Sequence, residues 1–238
     1  MDNATYAALT RQSGLLSEMR AIANNIANAN TTGYRAEEVG FAEYIAATGP
    51  VSDSLSMASA EINGTLGLQG ALGGTGGPFD LAIEGEGYFL IQTPAGERLT
   101  RAGNFTPNDT GDLVTMDGYP VLDPGGSPVF VPTGAGPIGI APDGTISANG
   151  APIGQIGIVR PLDPVGMRRE DGVRFAAPGG YEPVDTPQLA QGFLEESNVD
   201  PILQISRMIE VQRAYELGQS FVDKEDERIR NVIRTLGR

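Results

Sequence analysis

Glycine and proline are unevenly placed along this chain: 27 of its 33 glycines and 16 of its 17 prolines lie between Gly49 and Gln191. Both residues oppose helix interiors and favour turns. Long helices are therefore confined to the two ends, and the middle must be built from short elements joined by turns. The pattern predicts an α+β chain, with helical termini flanking a central all-β domain. Charge respects the same divisions. Residues 1–48 carry three basic and five acidic side chains, 49–191 six and sixteen, and 192–238 seven and nine.

The N-terminal segment reads as a helix over about Tyr6 to Ala29. Leu9, Leu16, Met19, Ala23 and Ile26 repeat on a 3.5-residue rhythm, with Gln12 as the polar interruption and Leu15 and Ile22 widening the apolar face. Thr31-Thr32-Gly33 ends it, Gly33 being suited to a left-handed position. A short amphipathic stretch, Phe41 to Ala47, follows.

At the other end Asp200 is a good N-cap and Pro201 suits the first helical position. From there Ile205, Met208, Tyr215, Val222, Ile229, Ile233 and Leu236 keep the same rhythm, with Gln212, Gln219 and Asp226 between them. A helix of about 35 residues is about 50 Å long. That is too long for one side of a compact domain, so it requires a partner of similar length. The expectation is a helical domain from 1–48 and 192–238, its two helices paired as in a coiled coil.

In the middle, Phe79–Ile83 and Gly87–Ile91 are apolar runs bounded by turns. Asp117-Gly118, Asn149-Gly150 and Asp143-Gly144 are hairpin signals, because such pairs accept positive φ. Residues 79–191 are thus read as a β-rich domain of barrel or sandwich type. Residues 49–78, small and glycine-rich, read as an extended connector with room for some β-structure.

Composition narrows the chemistry. The chain has no His, Cys or Trp, so the commonest general base and metal ligand are missing, along with thiol nucleophiles, zinc-thiolate sites and disulfides. A net charge of −14 and a single lysine, Lys224, argue against nucleic acid and against a polybasic membrane patch. The first residues lack a basic and an apolar signal region, and no stretch approaches 18 uninterrupted apolar residues, so neither a cleaved Sec signal nor membrane insertion is expected.

Several constellations have a chemical and a plain reading. Gly85-Glu86-Gly87 lacks the third glycine and the Lys-Ser/Thr of a phosphate loop, and a strand follows it, so a tight β-turn is expected. Asp109, Asp112 and Asp117 lack the alternation and the final Glu of a calcium loop, and read as turn residues. Glu84 with Glu86, sharing a strand face, and Glu195 with Glu196 are the acid pairs a glycoside hydrolase would use, set against an ordinary acidic surface. Asp223 to Arg230 is a charge run on the long helix, with Lys224 opposing Arg228 and Asp226 attracting Arg230. It is either a solvent face or a subunit contact. Asn24, Asn25, Asn28 and Asn30 are poor helix formers. They suit either a helix end or a polar interface between subunits.

The run Asn24-Asn25-Ile26-Ala27-Asn28-Ala29-Asn30-Thr31-Thr32-Gly33-Tyr34-Arg35 resembles the N-terminal signature of the flagellar rod and hook family. Phe79 to Val121, opening FDLAIEGEGYFLIQ, resembles its β-domain motif. Gln191 to Tyr215, with Gly192 to Asp200 and then Met208 to Glu216, resembles its C-terminal signature. Together the motifs cover about half the chain. Thr10 to Leu15 and the short length look most like the proximal-rod member, with the distal-rod member FlgG as nearest competitor.

The resemblance implies a structural protein of the basal body and not an enzyme. It would be exported by the flagellar type III apparatus without a cleaved signal and polymerise helically into a drive shaft across the periplasm, for cell motility. It implies copies of itself and the rod proteins FlgB, FlgC and FlgG as neighbours, the terminal helices as an inner tube, the β-domain outside it, and no cofactor. The residues it assigns to assembly are Leu9, Leu16, Met19, Asn24, Asn25, Ile26, Asn28, Gly33, Tyr34, Asn198, Ile205, Met208, Gln212, Arg213, Tyr215, Val222, Ile229 and Ile233, and it moves the Asn-rich run from helix end to assembly element. A secreted carbohydrate- or peptidoglycan-binding module is the competing reading from another class. It has no need of apolar seams at both ends.

Overall fold

In the computed structural model, which describes residues 2–46, 55–65, 67–132 and 134–236, the chain begins and ends in helices, α1 (Asp2–Ala27) and α2 (Pro201–Leu236). Between them lie short strands, giving a mixed α+β architecture with a central β domain. Two compact units result. One takes Met1–Ala27, Glu37–Leu66 and Asp200–Arg238, and the other Asn28–Ala36 and Gly67–Val199.

In the first unit α1 stops at Ala27, short of Ala29, because Asn28 turns the chain: its carbonyl and side-chain oxygens accept from the Thr31 N–H and hydroxyl at 3.0 and 3.2 Å. After the turn come β1 (Glu37–Ala46) and β2 (Leu55–Thr65), antiparallel from Glu37 opposite Thr65 to Ala46 opposite Leu55, with a bulge at Glu38/Val39. The amphipathic stretch from Phe41 is therefore strand as far as Ala46, and Ala47 lies outside the described residues. Part of the expected connector is strand as well. Its Ser, Ala and Gly content carries little β-propensity, so the sequence pattern gives no sign of the hairpin. The α1 backbone runs beside both β2 and α2.

α2 opens on Asp200, whose carboxylate accepts from the N–H groups of Ile202 and Leu203 at 2.9 and 3.1 Å. Those are two of the donors a helix start leaves unpaired. Along its charge run Asp226 pairs with Arg230 at 2.8 Å and Glu225 with Arg228 at 2.6 Å.

The second unit is organised by one strand, Tyr88–Thr93. It sits inside a six-stranded antiparallel sheet whose spatial order is Arg168–Asp171, Arg174–Ala176, Gly96–Thr100, Tyr88–Thr93, Ile158–Pro161, Tyr181–Pro183. Alternate side chains of a strand point to opposite faces. Phe89 and Ile91 enter one core with Leu81, Leu113 and Ile146, while Tyr88 and Leu90 enter another with Leu99 and Phe175. A three-stranded sheet (Ile138–Ile140, Thr145–Ala148, Ala151–Gln155) flanks the first core. Its hairpin turns on Asn149 and Gly150, at φ +51° and +81°, the positive values their sequence predicts. Gly85-Glu86-Gly87 is the tight turn between Leu81–Ile83 and Tyr88–Thr93. Glu84 and Glu86 consequently lie in a turn, not on one strand face.

Candidate assembly surface

α1 and α2 run antiparallel. Arg207 Nε donates to Glu18 Oε1 at 2.7 Å, and Gln12 Nε2 to Gln219 Oε1 at 3.2 Å. Between them Leu15, Ile22 and Val211 are buried, bordered by half-buried Met19, Ile26, Met208, Ala214 and Tyr215. The inward stripe of α1 is thus Leu15–Ile22, which the rhythm gave only as a widening. Leu9 and Leu16 face outward, 48% and 39% exposed. The contact with α2 buries one apolar stripe of α1, and the sequence carries more than one. Val211 is missing from the 3.5-residue seam, although it lies three residues after Met208 and four before Tyr215, the spacing of a helix face.

Most of α2 is uncovered. Among its described side chains only Val211 is buried. Ile202, Leu203, Ile205, Leu217, Phe221 and Ile233 are exposed by 51–78%. Gln212 and Arg213 are exposed too, and Val222 and Ile229 half-buried.

The remaining sequence-selected residues have partners inside the chain. The Asn25 side chain, 2% exposed, bonds the backbone of Glu37 at both ends: its Nδ2 donates to the carbonyl at 3.0 Å and its Oδ1 accepts from the N–H at 2.8 Å. Asn24 is exposed and donates to the Glu37 carboxylate at 3.3 Å. Asn28 holds the turn described above. Gly33, at φ +69°, donates its N–H to the Glu195 carbonyl at 2.7 Å. Tyr34 is buried, its ring 4.5 Å from the Arg169 guanidinium, which stacks on Phe175 as well. Asn198 Oδ1 accepts from the Ala36 N–H at 2.7 Å, and its Nδ2 donates to the Leu68 carbonyl at 2.8 Å.

A buried ion cluster escaped the sequence reading. Glu195, 1% exposed, receives Arg35 on one oxygen and Arg101 on the other, each at 3.2 Å. Glu195 and Glu196 are therefore not a matched acid pair, since Glu196 is exposed. Arg35 and Glu195 both lie in the motifs that carry the resemblance, but 160 positions separate them, and spacing along a chain gives no sign of such a pair. Burial and the neighbouring Arg35 push the Arg101 guanidinium down to about 10, against the pull of Glu195. A base lowered by folding is less favourably charged in the fold than in the open chain. This cost is present at every pH below about 10 and is relieved only as pH rises through that value.

Three family models match the chain in order: "Flagella basal body rod protein" over residues 6–35, "Flagellar hook protein FlgE/F/G D1 domain" over 82–148, and "Flagellar basal body rod FlgEFG protein C-terminal" over 190–235. The chain is 40% identical to the flagellar basal-body rod protein FlgF of Caulobacter vibrioides, covering 100% of this chain and 99% of the relative. It is 39% identical to FlgF of Mesorhizobium japonicum, with the same coverage. The flagellar basal-body rod protein FlgG of Bacillus subtilis is 35% identical over 96% of this chain and 97% of its own length. Full-length identity, together with all three models in sequence, shows that the chain belongs to the FlgF family of flagellar basal-body rod proteins, structural subunits of the rod.

Proposed function

We propose that this subunit builds the proximal rod by helical polymerisation through its terminal helices, paired in a coiled-coil-like domain around the export channel. The observation that carries the reading is the uncovered α2, a 36-residue helix with one buried side chain and apolar residues on its outward surface. Leaving such a surface in water is unfavourable by about 25 cal/mol per Å² of apolar area, and neighbouring subunits remove it. Leu9, Leu16, Ile205 and Ile233 are the assembly contacts of this reading. A face of one copy meeting a different face of the next propagates as a filament and does not close as a dimer.

On this reading the chain works in the rod that crosses the periplasm, with its own copies and with FlgB, FlgC and FlgG as neighbours, and reaches it through the flagellar type III apparatus without a cleaved signal. Among the described residues no helix is long and apolar enough to cross a membrane. Its role is mechanical: it transmits torque and carries out no chemistry.

Deleting residues 201–238 tests this directly. The truncated protein is expected to be absent from purified basal bodies, and the cells to be non-motile. Normal swimming with the truncated protein would overturn the proposal.

A further inference from the structure

The chain passes between its two units at four places: 27/28, 36/37, 66/67 and 199/200. On the side of the second unit, the segments next to these crossings are fastened to one another. The Gly33 N–H donates to the Glu195 carbonyl at 2.7 Å, the Glu196 N–H to the Ala71 carbonyl at 2.8 Å, and the Asn198 N–H to the Tyr34 carbonyl at 3.3 Å. Asn198 ties Ala36 to Leu68 through its side chain. Arg35 Nη1 reaches the Gly67 carbonyl at 2.7 Å, and the Gly70 N–H reaches Glu195 Oε1 at 3.2 Å. Arg169 Nη2 donates to the Arg35 carbonyl.

The Glu195 carboxylate lies at the centre of this collar. It binds segment 31–36 through Arg35, segment 67–70 through Gly70, and the sheet through Arg101, whose Nη1 also reaches the Ile83 carbonyl at 3.3 Å. Two buried guanidiniums face one carboxylate, a surplus of one positive charge. The Tyr88 ring, 5.2 Å from the Arg101 guanidinium and 5.9 Å from that of Arg35, takes up part of it. Without Glu195 the two cations would repel each other in a medium that screens them poorly. Every bond in the collar is made by residues 31–36 and 67–199, so none of them requires α1, α2 or the β1–β2 hairpin.

We propose that the Glu195 collar is a folding boundary: the second unit closes its own base around all four crossings and opens cooperatively with its sheets, whatever the state of the terminal helices. A subunit with such a boundary presents its helices for assembly from a finished base, and their ordering or release stops at residues 27 and 200. The proposal rests on the assembly reading only for that purpose. Its test uses monomer, so its failure leaves the deletion experiment above unaffected.

Native-state hydrogen exchange of the full-length monomer in rising, sub-denaturing urea reads the boundary. The Gly33, Gly70 and Glu196 amides are expected to open in the same step as the Leu90 and Leu122 amides of the sheet, after α2 has opened. If they open with α2, the proposal is overturned. Arg35→Gln gives the second arm, because it leaves a neutral Arg101–Glu195 pair and so spares the fold. Because collar and sheets open in one step, the Gly33, Ala36, Leu90 and Leu122 amides should all exchange at least about tenfold faster in this variant, as expected for loss of a charged hydrogen bond. Unchanged exchange at Gly33 would overturn the proposal equally. Glu195→Gln leaves two unbalanced cations and should speed exchange at Gly33, Gly70 and Glu196 together. Confinement of its effect to Gly70 would show that Glu195 does not organise the collar.

Discussion

Gly33 shows how tightly single residues are specified near the collar. Its φ of +69° is a conformation that favours glycine. A Cβ built there would lie 2.3 Å from the Ala102 nitrogen, which is backbone and cannot turn aside as a side chain can. Gly33→Ala therefore combines left-handed strain with a steric clash, and is expected to lower unfolding stability by about 3 kcal/mol or more. Urea denaturation of the second unit measures this, and a loss below about 1 kcal/mol would show that the backbone at Ala102 gives way. Asn25 illustrates a different requirement. A buried amide that satisfies both backbone groups of Glu37 behaves like one rung of a strand ladder, which explains a poor helix former on the last turn of α1.

At the scale of elements, what can be read in advance follows from how local the signal is. The cap at Asp200, the turn at Asn149-Gly150 and the two helices are written in neighbouring residues; the cap and the turn are found where the sequence places them, while α1 runs over Asp2–Ala27 instead of the expected Tyr6 to Ala29. The β1–β2 hairpin is not legible in this way, since its weakly patterned strands depend on each other. The cluster of Arg35, Arg101 and Glu195 is further out of reach, being assembled from segments up to 160 positions apart. Which apolar stripe of α1 faces inward is also settled by the partner helix, because Leu15 and Leu16 are equally apolar in the sequence. The uncovered stripe on α2 leads to a specific expectation. Leu217 and Phe221, one helical turn apart and 73% and 51% exposed, can be changed to Gln with a stability change within about 0.5 kcal/mol. The concentration needed for self-association should rise at least about tenfold if they anchor subunit contacts. Sedimentation velocity of L217Q/F221Q against the parent protein decides this, and unchanged association would remove this part of α2 from the interface.

For the molecule as a whole, the contrast between units concerns burial. The second unit has two interior clusters reached from opposite faces of a single strand, whereas the helix pair encloses one small apolar cluster of Leu15, Ile22 and Val211. Helices gain most of their stability from packing an apolar face, so α1 and α2, of 26 and 36 residues, should gain order when neighbours supply it. Circular dichroism at 222 nm is expected to deepen per residue when monomer is compared with assembled filament, and equal signals would count against coupled ordering. The collar bears on a property that equilibrium measurements do not reach. Under a pulling force, a body attached by one strand is peeled away bond by bond, the weakest first. Four covalent crossings whose neighbouring segments in the second unit are fastened to one another are expected to share a pull, so the collar should resist such stepwise peeling.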